Sequence, residues 1–372
     1  MAALNDIARR RLHNQRLLAP LGSDPADVVR FLGAVQSQDY AGAKWALGMR
    51  TRGVTDADVE RAFSEGAILR THVLRPTWHF VTPADIRWML ALTAPRVKAA
   101  MAYYDRKLEL DDAVFQRSNA AIERALRDGK QLSRQELGNA LRAARIDVTG
   151  GQRLGHLMLR AELEALVCSG ARRGKQFTYA LLEERVPPAR SLERDEALLE
   201  LTRRYFAARG PATAKDFAWW SGLTVSDAKR GIEIAGGVLQ RETIDDRAYW
   251  SGAATVSPAT RRSPVAHLLP NYDEYFIGFR DRSAIGERLK SSELVTGGDA
   301  LVAHVVLVDG QLVGGWRRII AKDQAVIGLR LITRLSSSEK RAIARAAQAY
   351  RSFLGVTVQL RRLSARRRGQ KE

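Results

Sequence analysis

Residues 68–82 read ILRTHVLRPTWHFVT, a stretch rich in β-branched and aromatic side chains that a proline interrupts at position 76. This composition predicts two strands joined by a turn. The segments that precede it have helical hydrophobic patterns, and they lie at residues 6–18, 25–36 and 55–64. The N-terminal part of the chain therefore has the order of three helices followed by a β-hairpin.

The same order recurs twice. The second stretch predicts helices at 113–127 and 154–164, a helix between them that opens with the capping box of Ser133 and Glu136, and strands at 165–169 and 176–182. The third predicts a helix with Leu198, Leu201 and Tyr205 on one face, a helix capped by Thr213 and Asp216, a helix at 225–234, and strands at 238–243 and 248–251. Since Ser133 and Thr213 open equivalent helices 80 residues apart, an internal repeat is indicated.

Three helices followed by a hairpin are typical of a winged helix, a helix-turn-helix unit whose strands form the wing. The sequence therefore predicts an α+β chain with three tandem winged-helix repeats, at residues 1–108, 109–190 and 191–256. The alternative is an irregular α+β protein without a true repeat.

A different unit is predicted at residues 257–372. It begins with a segment containing proline and arginine, residues 257–264, and continues with strands at 301–308, 311–318, 325–331 and 356–361. Asp309-Gly310 is a strong hairpin signal, and a long helix is expected from Ser337. The basic tail is predicted to be solvated and disordered, with non-specific contact to nucleic acid as the alternative.

The chain is strongly basic. Its 372 residues carry 60 Lys and Arg against 41 Asp and Glu, a net charge of +19, and the last twelve residues account for only five of that excess. Such a balance indicates an anionic partner, above all nucleic acid. No apolar run is long enough for a membrane helix and no signal peptide is visible, so a cytoplasmic location associated with the nucleoid is expected. A single cysteine, Cys168, excludes a disulfide framework, and the six histidines show no metal-ligand spacing, so no metal or cofactor is expected.

Three motifs carry a family resemblance: VQSQ at 35–38 after the second predicted helix, RTHVLRPTWHF at 70–80, and LLPNYDEYFIGFRDR at 268–282. With three winged helices and this length, the chain resembles the winged-helix DNA glycosylases of the AlkZ/YcaQ type, which unhook interstrand crosslinks. The resemblance covers essentially the whole chain. It implies a Gln-x-Gln catalytic motif made of Gln36 and Gln38, in which Ser37 stands where the family usually has an apolar residue.

The chemistry of two glutamines can be argued separately. Residues i and i+2 of a helix point about 200° apart, so a shared site requires the backbone to leave helical geometry near Gln36 and Gln38, and Gly42 fits such a helix exit. A neutral amide cannot act as a general base, but it can hold a water molecule and face a developing oxocarbenium ion. This suits a leaving group that is already cationic, such as an N7-alkylated guanine. One alternative is that both glutamines only cap a helix end and hydrogen-bond nearby backbone. The other is that Asp39 is the base, although Asp39 could equally be a residue of a C-terminal turn.

Several side chains are candidates for DNA contact. Arg70 and His72 share a strand face, and Arg75 follows them. The tip of the second hairpin offers Arg172, Arg173 and Lys175, which would contact phosphates without reading sequence. The resemblance adds the tip of the third hairpin, with Asp245 and Arg247. The alternative for each is ordinary surface charge.

Two further groups of residues are expected to be structural. Asp273 and Glu274 are adjacent and point apart, which favours ion pairing inside the protein, near Arg280 and Arg282, over an acid–base pair. Trp219, Trp220 and Trp316 are predicted to pack in a core or between domains, with base stacking as the alternative.

The sequence thus predicts a monofunctional DNA glycosylase for repair or antibiotic self-resistance. It would be monomeric, and its substrate would be double-stranded DNA containing alkylated purines, bulky natural-product adducts or interstrand crosslinks. No catalytic lysine is evident near Gln36, which argues against a Schiff-base lyase. The alternative is a non-catalytic winged-helix protein, either a regulator or a lesion binder.

Overall fold

The computed structural model describes residues 2–253, 263–289, 304–321 and 324–362. The first part contains helices α1 (Ala2–Asn14), α2 (Pro25–Leu32), α3 (Tyr40–Gly48), α4 (Asp56–Glu65) and α5 (Pro83–Lys107), and strands β1 (Val35–Gln36), β2 (Leu69–His72) and β3 (Trp78–Val81). The next part contains α6 (Asp112–Leu126), β4 (Leu132–Ser133), α7 (Arg134–Ala143), α8 (Gln152–Leu163), β5 (Val167–Ser169), β6 (Thr178–Leu181) and α9 (Leu182–Arg185).

The chain continues with α10 (Arg194–Arg209), α11 (Ala214–Ser221), α12 (Val225–Ala235), β7 (Leu239–Ile244) and β8 (Arg247–Gly252). The C-terminal part contains β9 (Ala266–Leu269), α13 (Glu274–Ile277), β10 (Val305–Val308), β11 (Gln311–Ala321), β12 (Gln324–Leu331), α14 (Ser337–Leu354) and β13 (Thr357–Arg362). The α+β class is therefore as predicted.

The helices form three consecutive groups, α1–α5, α6–α9 and α10–α12. Each group has a small antiparallel sheet, and the strand orders are β1-β3-β2, β4-β6-β5 and β7-β8. The capping boxes that open α7 and α11 are both present, at Ser133 with Glu136 and at Thr213 with Asp216. One large hydrophobic cluster draws residues from all three groups, from Ala34 to Leu239. Because this core is shared, the domain boundaries remain a prediction.

The C-terminal sheet has five strands in the order β13-β12-β11-β10-β9. Its hairpin turn at Asp309-Gly310 has positive φ at both residues, 50° and 81°, as a tight hairpin requires. The parallel pair β12–β13 is connected by α14, the predicted long helix. The basic tail from residue 363, most of the predicted linker and the start of the predicted strand at 301 lie outside the described residues.

Helix α3 connects this unit to the N-terminal part. The Trp45 ring packs on α14, with centroids 4.9 Å from Tyr350 and 5.2 Å from Phe353. A Cβ added to Gly48 would lie 2.5 Å from the Phe353 ring, so the close approach of the two helices depends on this glycine. The N-terminal motif and the C-terminal unit thus share one core.

Two predicted helices differ at their ends. The first ends at Asn14 rather than at residue 18, since Arg16 has a positive φ of 63°. Helix α2 ends at Leu32 rather than at residue 36, because Gly33 follows with a φ of 82°, a conformation that favours glycine. The chain then becomes extended, which decides the geometry of the candidate site.

Candidate active site

The Gln-x-Gln motif begins on a short strand and ends in a bend. In β1, Val35 pairs with Phe80 and Gln36 with His79, and the Ser37 N–H donates to the carbonyl of Trp78 at 2.7 Å. The strand ends at Gln36, and the chain bends at Gln38 just before α3 begins. The expectation that the backbone leaves helical geometry here is confirmed. The proposed helix exit at Gly42 is wrong, because Gly42 lies in the first turn of α3.

Charged groups bind Gln36 at both ends. Its backbone N–H donates to Oε1 of Glu274 at 2.8 Å, and its side-chain Oε1 accepts from Nη2 of Arg75 at 2.9 Å. Only 6% of the residue is exposed. The Arg75 bond fixes which end of the amide is the carbonyl, so the NH₂ group points the other way. The alternative in which Gln36 caps a helix end is wrong.

Gln38 is exposed, and its Oε1 accepts from the Trp78 N–H at 3.4 Å. Gln38 does not cap a helix, but its bond to the Trp78 backbone is of the kind that the structural alternative expects. Between the two glutamines, Ser37 is fully buried, and its hydroxyl has no hydrogen-bond partner among the described residues. A small apolar residue would fit this position equally well, in agreement with the family pattern.

Asp39 begins the next helix. Its Oδ1 accepts from the Gly42 N–H at 3.0 Å, as the N-cap of α3, and lies 3.6 Å from the Arg318 guanidinium. Its carboxylate therefore has a structural position at a helix start. This differs from the turn at a helix C-terminus that the sequence suggested.

Two adjacent buried carboxylates, Asp273 and Glu274, lie next to the glutamine motif, and Glu274 binds it directly. From the sequence alone, neither of them was expected in the active site. Glu274 is fully buried, and besides the Gln36 N–H its Oε2 accepts from Arg209 at 2.6 Å and from the Trp220 indole at 2.8 Å. Asp273 forms a bidentate pair with Arg50 at 2.8 Å for both bonds. Internal ion pairing is confirmed for this dipeptide. The partners, Arg50 and Arg209, come from the N-terminal and the third helical part of the chain, and not from the neighbouring Arg280 and Arg282.

Arg70 and His72 do project together, as predicted from their shared strand face. The Arg70 guanidinium lies between the rings of Trp78 and Phe177, 4.3 and 4.5 Å from their centroids, and donates to the Ser37 carbonyl. Burial lowers the pKa of Arg70 to about 10. The His72 ring stacks on Trp78 and its Nδ1 bonds the buried Glu162. Both side chains thus have internal contacts, and their role toward DNA stays a prediction.

Two of the three basic side chains at the tip of the second hairpin already have carboxylate partners inside the protein. Arg172 packs on Phe177 and reaches both carboxylate oxygens of Glu60 at 3.3 Å, and Arg173 is paired with Glu136. Lys175 is exposed and without a partner among the described residues. Phosphate contact through this tip therefore rests first on Lys175.

At the third hairpin, Asp245 and Asp246 form the turn with φ values of 47° and 60°. Arg247 already belongs to β8 and pairs with Asp281 at 2.5 Å, with both groups partly exposed. Its contact to DNA remains a prediction, as does that of Asp245.

The tryptophans divide into two kinds. Trp220 and Trp316 are buried, and the packing predicted for them is confirmed. Trp219 is 42% exposed, so it does not lie in the core, but its indole N–H donates to the Ile277 carbonyl of the C-terminal unit, which agrees with the predicted packing between domains.

Within the described ranges, no three His, Cys, Asp or Glu side chains are grouped in a way that could hold a metal ion. No helix in the same ranges combines the length and apolar character that crossing a bilayer requires.

The comparisons with known proteins agree with this arrangement. A family model described as DNA glycosylase AlkZ-like matches residues 29–353. A curated relative from Streptomyces sahachiroi, an interstrand DNA cross-link repair glycosylase, is 23% identical over 328 residues, covering 85% of this chain and 87% of the relative. The solved structure of the Streptomyces sahachiroi DNA glycosylase AlkZ superposes with a TM-score of 0.79 at 22% identity, covering 98% of this chain and 100% of that one. The family match takes in both the extended glutamine segment and the C-terminal unit that holds it, and the chain therefore belongs to the AlkZ-like family of DNA glycosylases.

Proposed function

We propose that this protein is a monofunctional DNA glycosylase that hydrolyses the N-glycosidic bond of cationic N7-alkylated purines in double-stranded DNA. Bulky natural-product adducts and interstrand crosslinks joined through N7 belong to the same chemical class. The observation that carries the proposal is the non-helical segment 35–38, which lies against β3. Gln36 lies in β1, where Glu274 and Arg75 fix its backbone and its amide, and the exposed Gln38 follows two residues later against the Trp78 N–H.

In this reading the two amides act on one water molecule and on the sugar. An amide carbonyl directed at C1′ stabilises the positive charge that develops as the bond breaks, and the amide groups orient the water that attacks. A preorganised dipole is effective because it does not have to reorient during the reaction. The bonds to Glu274 and Arg75 supply this rigidity for Gln36.

The carboxylates around the pair have other partners. Glu274 has no exposed surface and accepts three hydrogen bonds, while Asp39 caps α3. Neither is placed to protonate a departing base. The leaving group must then already be positively charged, which an N7-alkylated guanine is and a normal base is not.

The direct test is to incubate the protein with duplex DNA carrying a single N7-methylguanine. We expect release of the free base and an abasic site, measured by chromatography and by strand cleavage in alkali. The undamaged duplex is the control. Tight binding of the damaged duplex without base release would instead support a lesion-binding protein and would overturn the glycosylase proposal.

The proposed chemistry also predicts which lesions are ignored. Uracil and hypoxanthine are neutral, and their departure is assisted by a proton, which we propose neither the buried Glu274 nor Asp39 at the start of α3 delivers. We expect their release to be at or near the uncatalysed background, while N7-methylguanine is released in the same assay. Efficient uracil excision would show that a carboxylate, Asp39 first, acts as a general acid or base.

DNA affinity should depend strongly on salt. The net charge of +19 implies that binding releases counterions from the duplex, so the logarithm of the binding constant should fall linearly with the logarithm of the salt concentration. For six to ten phosphate contacts, affinity should fall by about 10³- to 10⁵-fold between 50 and 200 mM salt. Fluorescence anisotropy with an undamaged duplex measures this slope, and a flat response would contradict binding through phosphates.

A further inference from the structure

Trp219 lies on the surface of α11 beside the candidate active site. This residue is 42% exposed, whereas the neighbouring Trp220 is fully buried. The Trp219 indole N–H donates to the carbonyl of Ile277 at 3.1 Å, which fixes the orientation of the ring. A large aromatic side chain that is both exposed and held in place suits contact with a ligand better than it suits a role in the core.

Two guanidinium groups flank this ring. Arg75 lies 6.0 Å and Arg282 5.9 Å from the ring centroid, although they come from distant parts of the chain. The β2–β3 turn packs tightly on the end of α11: a Cβ added to Gly222 would lie 2.1 Å from the Leu74 carbonyl oxygen. This close approach places Arg75 beside Trp219.

Neither guanidinium has a carboxylate within ion-pair distance among the described residues, although Glu274 attracts Arg75 from farther away, and Asp216 and Asp281 attract Arg282. Arg75 bonds the Gln36 amide, and its Nε is buried without a hydrogen bond. Arg282 donates from Nε to the Phe276 carbonyl at 2.9 Å, and its Nη2 is buried without a hydrogen bond. Arg50 differs from both, because it is buried but forms an ion pair with Asp273.

Such an arrangement is unfavourable without a ligand. Two partly buried cations near one another repel, and buried N–H donors without acceptors cost free energy. Burial lowers the pKa of Arg282 and the charge of Arg75 lowers it further, while Asp216 and Asp281 offset part of that decrease. A bound anion would accept the free donors and remove the repulsion.

We propose that Arg75, Arg282 and Trp219 form a nucleotide subsite of the DNA interface, in which the two guanidiniums bind one backbone phosphate and the exposed indole stacks on the base of that nucleotide. A cation pair beside an aromatic ring is complementary to a phosphate that carries a base. Since Arg75 also holds Gln36, the subsite is continuous with the glutamine pair. The inference rests on the proposed function only for the identity of the ligand as DNA.

The subsite should be most important where a nucleotide is displaced from the helix stack. In an undamaged duplex the bases are stacked on each other and their faces are not available to Trp219. At an abasic position the neighbouring nucleotides are less constrained, so a stacking ring gains contact there. Trp219 should therefore favour damaged over undamaged DNA.

The test compares binding of the full-length protein to two duplexes, one undamaged and one with a tetrahydrofuran abasic analogue. Variants Trp219→Ala and Arg282→Gln should each weaken binding to the analogue duplex by about 10- to 100-fold, the range of losing one stacked base or one charge-assisted contact. Binding to the undamaged duplex should change by less than about threefold. Trp219→Phe should restore most of the loss, because a phenyl ring also stacks.

Arg280→Gln is the matched control. Arg280 is exposed, lies two residues from Arg282 and loses the same charge when substituted. We expect it to change the affinity for both duplexes equally, by less than about threefold. Melting temperatures recorded for every variant would show that each remains folded.

The inference would be overturned if Trp219→Ala and Arg282→Gln weakened both duplexes alike and no more than Arg280→Gln. It would also fail if Trp219→Phe lost as much as Trp219→Ala. Failure of the proposed function looks different: the wild-type protein would prefer the analogue duplex through Trp219 and Arg282, yet would not release N7-methylguanine.

Discussion

Replacing Gln36 or Gln38 with alanine is expected to slow the release of N7-methylguanine by about 10- to 10³-fold, the range for removing one preorganised polar group from an active site. Gln36→Ala removes an amide that is held by Arg75 and nearly excluded from solvent. The measurement is single-turnover release of the base with enzyme in excess, so that product dissociation does not limit the rate. Gln348→Ala, at an exposed position on α14, is the control and should leave the rate unchanged.

Two further variants test whether the glutamines act together. The double alanine variant should lose far less than the product of the two single losses, because both amides act on one water molecule. Gln38→Asp installs the family's other motif, Gln-x-Asp, and should retain activity. It should also extend excision toward less activated lesions, since a carboxylate can act as a base.

A structural role for the glutamines would give the opposite pattern. The alanine variants would then melt at lower temperature and release the base at the wild-type rate. In that case the site would have to be sought at Asp39 or elsewhere.

Local signals predicted much of this fold. The capping boxes at Ser133 and Thr213 and the hairpin at Asp309-Gly310 depend on residues within a few positions of each other, and all three are present. Helix α3 was not predicted because residues from Gly42 to Leu47 are all buried, so its sequence shows no alternation of apolar and polar faces. Helix α5 carries Pro95 in its interior, which reads as a helix end in the sequence.

The candidate site was harder to predict because its geometry depends on distant residues. The positions of Gln36 and Gln38 came from the family resemblance. The extended conformation of Gln36 follows from the helix end at Gly33 and from pairing with β3. The bond between Glu274 and Gln36 spans 238 positions, and no local pattern indicates it. The resemblance at 268–282 was the one signal that pointed to this segment.

The sequence suggests more unpaired arginines at the surface than the structure contains among the described residues. Arg172 and Arg173 stand at a hairpin tip that is basic in sequence, but Glu60 and Glu136 pair with them from helices α4 and α7. Conversely, Arg282 lies near the Asp-Glu dipeptide in sequence, but Arg50 and Arg209 pair with those two carboxylates, and Arg282 has no carboxylate within ion-pair distance among the described residues. Which arginines are free therefore depends on the tertiary structure.

Replacing Asp273 with asparagine is expected to lower the free energy of unfolding by about 3–5 kcal/mol, the cost of breaking a buried ion pair by removing one partner. Neither side chain of the Asp273–Arg50 pair has any exposed surface. Arg50 also donates to the backbone carbonyl and the side-chain oxygen of Gln15, and to the Ala46 carbonyl. These neutral acceptors would not replace the lost negative charge. Denaturation by urea, monitored by circular dichroism, measures the change from the shift in midpoint.

An exposed ion pair gives the control. In the Asp27–Arg30 pair the two side chains are 49% and 57% exposed, and Asp27→Asn should cost less than about 1 kcal/mol because water already solvates both charges. If Asp273→Asn lowered the free energy of unfolding no more than this control does, the buried Arg50–Asp273 pair would not have the stabilising role assigned to it. A paired substitution, Arg50→Met with Asp273→Leu, should recover part of the loss, since no unpaired charge is then left buried.

Asp273 adjoins Glu274, so the single variant Asp273→Asn should also loosen the hydrogen bond between Glu274 and the Gln36 backbone. Base release should therefore slow at temperatures where the protein is still folded.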